Sequence, residues 1–223
     1  MWRHKLMVNS FKREQLKVYF ICGTQDFKTS DNSLEAALNC IETALKAGIT
    51  MFQFREKGTG SLNGAAKVDF AKKAQALCKA YKVPFIMNDD MDLAEELEVD
   101  GVHIGQDDDP IEKVRCRFPN KIIGLSVHSP EEFAASRVDL ADYIGVGPVY
   151  GTQSKDDAKA PIGLEGIAAL RKTAGSMPIV AIGGITVDNA AAIVQHGADG
   201  VSVITAITHA DDIEDAVKQL QEN

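Results

Sequence analysis

Polar and aromatic side chains alternate in the segment MFQFREKG, residues 51–58. Alternate residues of a β-strand point to opposite faces, so the two phenylalanines share one face and Gln53, Arg55 and Lys57 share the other. The segment lies between two apolar helical patterns, which predicts burial on both faces. An amide, a guanidinium and an ammonium group on one buried face are suited to binding an anion such as phosphate.

Acidic and amide residues follow two further apolar runs. Asn88 and Asp89 come directly after the run PFIM, and the motif GQDDDP places three aspartates at positions 107–109. A few carboxylates beside cationic groups are typical of Mg²⁺ shared with the phosphates of a substrate. Acidic residues also favour the first turn of a helix, so the triplet can equally be a helix start. The pattern predicts that Asp89 meets one of the three aspartates.

A second anion site is indicated further along the chain. The motif AIGGIT places Gly183 and Gly184 before a helical pattern, where backbone N–H groups and the positive end of the helix can hold an anion. Lys155 lies in the long loop GPVYGTQSKDDAKAPIG and can reach either anion site.

Groups for acid–base or nucleophilic catalysis are scarce. Ser126 and His128 are two residues apart on one strand, a spacing that by itself makes no Ser–His–Asp relay. His103 is expected to be a hydrogen-bonded histidine of the core or rim, and Cys22 has no evident activating base. Many anion-binding groups and few bases suit the departure of an anionic leaving group such as diphosphate.

The elements that must position these residues alternate between strand and helix. Eight short β-branched or aromatic runs are each followed by an amphipathic segment: residues 18–22, 50–54, 84–87, 101–104, 122–126, 143–146, 179–182 and 200–204. Evenly spaced βα units without a long insertion predict a closed (β/α)₈ TIM barrel over residues 17–223, with an open doubly wound sheet as the competing α/β architecture. In a barrel, the polar residues would gather at the C-terminal rim. Residues 1–16 are expected to form an N-terminal arm or helix.

Composition narrows the class of protein. The 223 residues are 45% hydrophobic, carry a net charge of −8 and contain no apolar run of the roughly 20 residues that span a bilayer. The acidic balance argues against a nucleic-acid or membrane partner. No signal peptide is recognisable, so we expect a cytoplasmic protein. The four widely spaced cysteines form no metal-ligand pattern and are expected to be reduced and mostly packed.

Seven motifs, in order over nearly the whole chain, resemble those of the thiamine phosphate synthase family: QFREKG, NDD, GVHIGQDDDP, GLSVHS, YIGVGPVYGTQSK, AIGGIT and GADGVSVITAI. The resemblance implies a transferase of thiamine biosynthesis with two phosphorylated heterocyclic substrates. These are 4-amino-2-methyl-5-hydroxymethylpyrimidine diphosphate and hydroxyethylthiazole phosphate, which give thiamine phosphate and diphosphate. It also implies Mg²⁺ and a dissociative path, in which a pyrimidine carbocation is captured by the thiazole nitrogen. Whether the chain forms a homo-oligomer stays open.

The resemblance also implies roles for individual residues. Contacts to the pyrimidine diphosphate are expected from Gln53, Arg55, Lys57, Asn88, Ser126 and Lys155. Contacts to the thiazole phosphate are expected from Thr152, Ser154, Gly184, Ile204 and Thr205. The implied catalytic residues are Lys57, Ser126 and Lys155. The implied metal ligands are Asp89 and Asp108, with Asp107 as an open alternative. Ser154 and Thr205 depart from the family's usual threonine and serine but keep a hydroxyl, so we expect altered affinity at most.

Other functions on the same barrel are weighed against this one. A thiazole tautomerase-like protein needs a phosphate site but no diphosphate–metal site, so it leaves Lys57, Asp89 and Asp108 unexplained. A sugar-phosphate isomerase needs an acid–base pair at the strand ends, which the sequence does not supply. A non-catalytic relative would be expected to have lost one of the charged contacts.

Overall fold

Eight parallel strands close into a barrel in the computed structural model, which describes residues 11–27, 33–152 and 159–223. The strands are β1 (Val18–Cys22), β2 (Met51–Phe54), β3 (Phe85–Asn88), β4 (Gly101–Ile104), β5 (Ile122–Val127), β6 (Tyr143–Val146), β7 (Ile179–Ile182) and β8 (Gly200–Val203). Each strand pairs with the next, and β8 pairs with β1. The predicted TIM barrel is confirmed and the open sheet is excluded, because every strand has two paired neighbours. The predicted strand bounds agree to within about one residue.

Helices follow the strands and cover the outside of the barrel. They are α1 (Ser33–Ala47), α2 (Gly64–Tyr81), α3 (Met91–Glu96), α4 (Ile111–Arg117), α5 (Pro130–Ala135), α6 (Gly163–Ala174), α7 (Val187–Gln195), α8 (Thr205–Thr208) and α9 (Ile213–Gln221). Helix α1 buries Ala37, Ile41, Ala44 and Leu45, a helical spacing that turns one stripe toward the sheet. It ends before Gly48, whose φ of +103° suits glycine at a helix end.

The strands bury different side chains on their two faces. The outer faces pack against the helices, and Phe54 meets Phe70 of α2 with ring centroids 5.0 Å apart. Side chains of the inner faces, together with Leu16 from the segment before β1, form a separate cluster that fills the N-terminal end of the lumen: Leu16, Tyr19, Met51, Ile86, Ile122, Tyr143 and Val180. The phenylalanines of the MFQF segment therefore face the helices, as predicted, and leave the other face of β2 for the lumen.

Residues 11–16 of the expected N-terminal arm cover the end of the barrel at which the strands begin. Leu16 is fully buried, and Phe11 stacks on Tyr143 with ring centroids 5.7 Å apart. Arg13 Nη1 donates to Asp199 Oδ1 at 2.6 Å. Residues 1–10, the remainder of the expected arm, lie outside the described residues.

Asp199 connects three elements at this end of the barrel, so its replacement should destabilise the fold. Its carboxylate also accepts hydrogen bonds from Arg171 Nη2 at 2.6 Å and from the Ile179 N–H at 2.7 Å. Asp199→Asn should lower the free energy of unfolding by about 2 kcal/mol, because charge-assisted hydrogen bonds are lost in a half-buried site. Urea denaturation measures this value. The exposed Lys218–Glu214 pair, 3.9 Å apart, gives the control: Glu214→Gln should change stability by less than about 0.5 kcal/mol.

The cysteines fit the expectation of packed, reduced thiols. Cys22, Cys40 and Cys78 are buried and free, and Cys116 is free and exposed. Burial raises the pKa of the Cys22 thiol well above its ordinary value, so this residue is a poor nucleophile. In the described part of the chain, no helix is both long and apolar enough to cross a membrane.

Candidate active site

The polar face of β2 rises through the lumen to the C-terminal rim. Gln53 is buried, and its Nε2 donates to the Tyr19 hydroxyl at 2.8 Å. Arg55 is 9% exposed, and Lys57 reaches the surface. In residues 11–27, 33–152 and 159–223, the Arg55 guanidinium makes no hydrogen bond or ion pair. A buried cation without a direct hydrogen bond or ion pair is a site prepared for an anion.

The backbone around Arg55 is fixed by the neighbouring loop. The Arg55 N–H donates to the Cys22 carbonyl at 3.1 Å, and the Arg55 carbonyl accepts from Gln25 Nε2 at 2.7 Å. The buried Glu56 side chain accepts from the backbone N–H groups of Thr24 at 2.8 Å and Leu62 at 2.6 Å, and from the Thr24 hydroxyl. These contacts tie the loops after β1 and β2 together, so they hold Arg55 in place from both sides.

Asp89 is placed by a left-handed turn at the end of β3. Asn88 ends the strand, Asp89 has φ +46°, and Asp90 caps α3 by accepting from the Leu93 N–H at 3.1 Å. Aspartate is one of the few residues that adopt this conformation readily. The turn brings Asp89 Oδ2 to 2.5 Å from Lys57 Nζ. The hydrogen bond to Asp89 raises the pKa of Lys57, and the charges of Asp89 and Asp108 add to the effect.

The three aspartates after β4 occupy three different environments. Asp108 Oδ2 accepts from the Gly105 N–H at 2.7 Å, and its charge acts on Lys57. Asp107 lines the cavity over the later strands, and Asp109 pairs with Lys113 of α4 at 2.9 Å. Asp109 therefore fits a helix start, while Asp108 is close enough to Lys57 for its charge to raise the Lys57 pKa.

The donor set on the β2–β4 side fits Mg²⁺ that is shared with a ligand. Two carboxylates act on the Lys57 ammonium group: Asp89 is in direct contact with it, and the charge of Asp108 raises its pKa further. Within the described ranges, no group of three or more histidine, cysteine or acidic side chains is arranged to hold a metal ion. Mg²⁺ is commonly bound by one or two carboxylates together with substrate phosphates and water, rather than by an all-protein cage.

A cavity of about 240 Å³ opens over β4 to β8. Its walls include Ser126, Thr152, Gly184, Ile204 and Thr205, five of the residues expected to contact substrate. They also include Glu132, Lys159 and Ser202, which the sequence analysis did not single out. The cavity thus adds a second binding surface beside the Arg55 and Lys57 side of the rim.

Glycines on the wall of this cavity allow two loops to touch. A Cβ on Gly183 would lie 2.4 Å from Pro148 Cβ, and one on Gly184 would lie 2.7 Å from the Gly151 carbonyl oxygen. Gly184 also has φ +63°, in the left-handed region. The helix that follows, α7, begins with a capping box in which the Thr186 N–H donates to Asn189 Oδ1 at 3.0 Å. The motif GGIT is therefore a tight strand-to-helix turn whose backbone faces the cavity.

His128 and Glu132 support the wall on the β5 side. His128 Nδ1 lies 3.0 Å from the Gly147 carbonyl oxygen, and its backbone N–H donates to Glu132 at 2.8 Å. Glu132 also pairs with Lys159 at 2.5 Å. Burial opposes ionisation of Glu132, but these two donors outweigh it and lower its pKa. His128 therefore serves as a hydrogen-bonded wall residue.

A chain of hydrogen bonds runs below the cavity, through the lumen. The Tyr19 and Tyr143 hydroxyls are 2.9 Å apart, Tyr143 OH lies 3.0 Å from His103 Nδ1, and His103 Nε2 lies 3.0 Å from Ser126 Oγ. A space of about 20 Å³ adjoins this chain and is also lined by Ser202. Ser202 Oγ is buried and has no hydrogen-bond partner among the described residues. His103 is a hydrogen-bonded core histidine, as expected.

Asp26, on the loop beside Arg55, gives a pH-dependent prediction. Burial raises its pKa to about 6, although the Gly23 N–H and Arg55 oppose the shift. An acid whose pKa is raised on folding stabilises the fold when neutral, so stability is lost as pH rises from about 4 through 6. Asp26→Asn keeps an acceptor for the Gly23 N–H and should stabilise the protein above pH 6 by about 1–3 kcal/mol, with no effect near pH 4.

Urea unfolding of both proteins between pH 4 and 8 measures this difference. The exposed Asp211→Asn provides the matched control and should leave the curve unchanged. Equal stabilisation by Asp26→Asn at pH 4 and pH 8 would show that the ionisation of Asp26 is not the cause.

Comparison with known proteins decides the family. Residues 18–207 match the family described as thiamine monophosphate synthase. The chain belongs to the thiamine monophosphate synthase family. It is 51% identical over 210 residues to thiamine-phosphate synthase of Oceanobacillus iheyensis, covering 94% of this chain and 99% of that protein. It is 50% identical over 212 residues to thiamine-phosphate synthase 1 of Streptococcus pneumoniae, covering 95% and 99%.

A solved structure agrees with this assignment. Thiamine phosphate pyrophosphorylase from Pyrococcus furiosus superposes with a TM-score of 0.78 at 36% identity, covering 94% of this chain and 96% of that one. Orotidine 5'-phosphate decarboxylase from Pyrococcus horikoshii has a TM-score of 0.64 at 15% identity, a likeness of fold alone. The family resemblance inferred from the seven motifs is confirmed.

The structure places the predicted residues of this family member in three groups. Arg55, Lys57, Asn88, Asp89 and Asp108 lie at the ends of β2, β3 and β4. Ser126, Thr152, Gly184, Ile204 and Thr205 line the cavity over the later strands. Gln53 lies deeper, bonded to Tyr19. Ser154 and Lys155 lie outside the described residues, so their roles stay predictions.

Several residues around the site were not singled out from the sequence. Glu56 and Thr24 fix the Arg55 segment, and Tyr19 and Tyr143 connect Gln53 to His103. A buried glutamate next to arginine in FREKG was the one signal available for the first pair, because buried carboxylates require partners. The tyrosines gave no local signal, because each reads as an ordinary apolar strand residue.

Proposed function

We propose that the chain is a thiamine-phosphate synthase. It joins 4-amino-2-methyl-5-hydroxymethylpyrimidine diphosphate to hydroxyethylthiazole phosphate and releases diphosphate. The observation that carries the proposal is the pairing of two anion-binding surfaces on one rim. One holds the unpaired guanidinium of Arg55 beside Lys57, and the other is the cavity lined by Gly184 and Thr205. Two phosphorylated substrates require two such surfaces, and the family relationship supports the assignment.

The chemistry needs charge stabilisation more than proton transfer. The C–O bond between the pyrimidine methylene and the diphosphate breaks, and its electron pair leaves with the diphosphate. The thiazole nitrogen lone pair then forms the new C–N bond, so no proton has to move. Arg55 and Lys57 would bind the departing anion, and the cavity would position the thiazole phosphate. The scarcity of general bases in the sequence is in keeping with this reaction.

Other polar residues would orient the two substrates. Asp89 and Asp108 would hold Mg²⁺, which supplies further neutralisation of the diphosphate charge. Gln53, Asn88 and Ser126 would contact the pyrimidine substrate. Lys155 is proposed as a further diphosphate contact, and Ser154 as a contact to the thiazole phosphate. Phosphorylated substrates do not cross membranes freely, so we also propose a cytoplasmic location.

The reaction is tested by measuring diphosphate release with each component left out in turn. The complete mixture contains the protein, both substrates and Mg²⁺. We expect release only from the complete mixture, with thiamine phosphate formed in equal amount. No release from the complete mixture would contradict the synthase assignment and favour the tautomerase-like or non-catalytic alternatives, while leaving the barrel and its phosphate site unaffected.

Gly184 offers a separate test of the thiazole phosphate side. Gly184→Ala introduces a Cβ at φ +63° and against the Gly151 carbonyl oxygen. Strain of about 1–3 kcal/mol should raise the KM for thiazole phosphate by roughly tenfold or more. The KM for the pyrimidine diphosphate should change little.

Gly151→Ala is the matched control for this experiment. A Cβ on Gly151 would meet nothing within 4 Å, although the Gly151 carbonyl oxygen is the atom that a Cβ on Gly184 would approach. If the two alanine variants raise the KM for thiazole phosphate equally, the close approach at Gly184 does not shape the phosphate site.

A further inference from the structure

The hydrogen-bonded chain in the lumen connects residues of five strands. It runs from Gln53 on β2 through Tyr19 on β1 and Tyr143 on β6 to His103 on β4, and ends at Ser126 on β5. Four hydrogen bonds of 2.8 to 3.0 Å join these five side chains. One end lies deep in the barrel, and the other lies on the wall of the cavity of about 240 Å³ over β4 to β8. This chain of hydrogen bonds therefore links the barrel core to the place where substrate would bind.

Glycines on β5 and β6 make room for this chain. The strand register places His103 beside Gly124, and Gly124 beside Tyr143. A Cβ on Gly124 would lie 2.2 Å from Tyr143 Cζ and 2.4 Å from His103 Nδ1. Gly145, opposite Ser126, would bring a Cβ to 3.0 Å from His103 Cε1. The missing side chains at Gly124 and Gly145 thus leave the room that the imidazole and the phenol occupy.

The direction of the hydrogen bonds follows from the donors available. Burial raises the pKa of both tyrosines, so each hydroxyl keeps its one proton. Gln53 Nε2 is a donor only, so the Tyr19 oxygen accepts from it. In the described part of the chain, the acceptor left for the Tyr19 proton is the Tyr143 oxygen. Tyr143 then has its own proton to donate, and its acceptor is His103 Nδ1.

The same reasoning fixes the last two groups. A neutral imidazole that accepts at Nδ1 carries its proton on Nε2. His103 Nε2–H therefore donates to Ser126 Oγ. Because the Ser126 oxygen is occupied by this hydrogen bond, the serine proton is free to point into the cavity that Ser126 lines.

We propose that Tyr143 is a positioning residue, which sets the tautomer of His103 and thereby makes Ser126 a hydrogen-bond donor toward a ring nitrogen of the aminopyrimidine substrate. The substrate part of this inference rests on the proposed function. An aminopyrimidine has ring nitrogens that accept and an amino group that donates. Ser202 lines the same cavity as Ser126, and its buried Oγ, which has no partner in the described residues, is available for the amino group. The floor of the cavity thus complements both kinds of polar group on one ring.

The experiment compares two deletions of a buried hydroxyl. Tyr143→Phe removes the donor to His103. Tyr19→Phe removes a hydroxyl of equal burial but leaves Tyr143 able to donate. Tyr81→Phe, whose hydroxyl lies 3.5 Å from Glu42 on the outer helices, controls for the substitution itself. Each protein is examined without ligand by ¹⁵N NMR of the His103 ring, assigned with His103→Gln, and by steady-state kinetics with both substrates.

The proposal predicts one His103 tautomer, protonated on Nε2, in the wild type and in Tyr19→Phe. Tyr143→Phe should show a mixture of tautomers. Its KM for the pyrimidine diphosphate should rise by about tenfold, the effect of one hydrogen bond, with the KM for thiazole phosphate within about twofold of wild type. Tyr19→Phe and Tyr81→Phe should keep both KM values within about threefold.

Two results would overturn the proposal. A wild-type His103 protonated on Nδ1 would show that donors and acceptors along the hydrogen-bonded chain are reversed. This result needs only the wild-type protein, so it holds even if Tyr143→Phe does not fold. Equal changes in tautomer and KM for Tyr143→Phe and Tyr19→Phe would show a purely structural role. A wild type without synthase activity would refute the proposed function instead, and the NMR comparison would still decide the tautomer.

Discussion

Replacement of Arg55 by alanine is expected to lower kcat/KM for the pyrimidine diphosphate by about 10²–10³-fold, the usual loss for one preorganised charge contact to a transition state. Arg55 is buried, its backbone is held by contacts to Cys22 and Gln25, and its guanidinium makes no hydrogen bond or ion pair in the described ranges. The guanidinium is therefore already desolvated before the substrate binds. Its attraction for the negative charge that develops on the diphosphate is not offset by a further desolvation penalty of the arginine.

Arg55→Lys separates geometry from charge. Lysine keeps the positive charge but lacks the planar fork that binds phosphate oxygens in pairs. We expect it to recover only part of the loss, so that its kcat/KM falls between those of alanine and wild type. The exposed Arg137→Ala, which loses surface pairings with Asp139 at 2.9 Å and with Glu112 at 3.8 Å, should leave the rate unchanged.

Rates measured with saturating Mg²⁺ and thiazole phosphate give these values. An Arg55→Ala enzyme with near-normal kcat/KM would remove Arg55 from the diphosphate site. Because the variant deletes an unpaired buried cation, we do not expect it to unfold, and thermal denaturation checks this point.

The barrel was predictable because its signal is local and repeated. Each run of β-branched and aromatic residues is followed by an amphipathic helix, and the register of β2 alone separates Phe54 from Gln53. Two-residue periodicity therefore assigned both faces of that strand correctly. The rim position of Lys57 and Asp89 follows from the same rule, since parallel strands end at the same edge.

The connections between strands were not predictable from any one segment. The contact of Tyr143 with His103 depends on the register of three strands and on Gly124 between them. Likewise, Arg13 meets Asp199 across 186 positions of sequence. Such pairs leave no local pattern, because each partner satisfies its own strand or loop without the other.

The second metal ligand among the three aspartates after β4 could not be predicted from the sequence. All three lie within one polar loop, where residue spacing does not determine the direction in which each side chain points. The structure separates them by their partners: Gly105 N–H for Asp108, the cavity wall for Asp107 and Lys113 for Asp109. This separation makes the metal proposal testable residue by residue.

Asp89→Asn and Asp108→Asn are each expected to raise the Mg²⁺ concentration for half-maximal activity by at least about 10–100-fold, because outer-sphere changes alone have effects of that size. Each amide keeps the shape of the carboxylate but removes the charge that Mg²⁺ prefers. Asp89→Asn also weakens the 2.5 Å contact to Lys57, so its kcat should fall further than that of Asp108→Asn. Activity titrated with Mg²⁺, and Mg²⁺ binding measured by calorimetry with inorganic diphosphate present, report the two effects separately.

The neighbouring aspartates provide matched controls for this titration. Asp109→Asn loses only its helix-start pairing with Lys113 and should require the same Mg²⁺ concentration as wild type. Asp107→Asn should also be near wild type if Asp108 is the ligand. A normal Asp108→Asn together with an impaired Asp107→Asn would move the second ligand to Asp107. If no variant changes the Mg²⁺ requirement, the metal is not held by this rim, and charge stabilisation of the diphosphate must come from Arg55 and Lys57 alone.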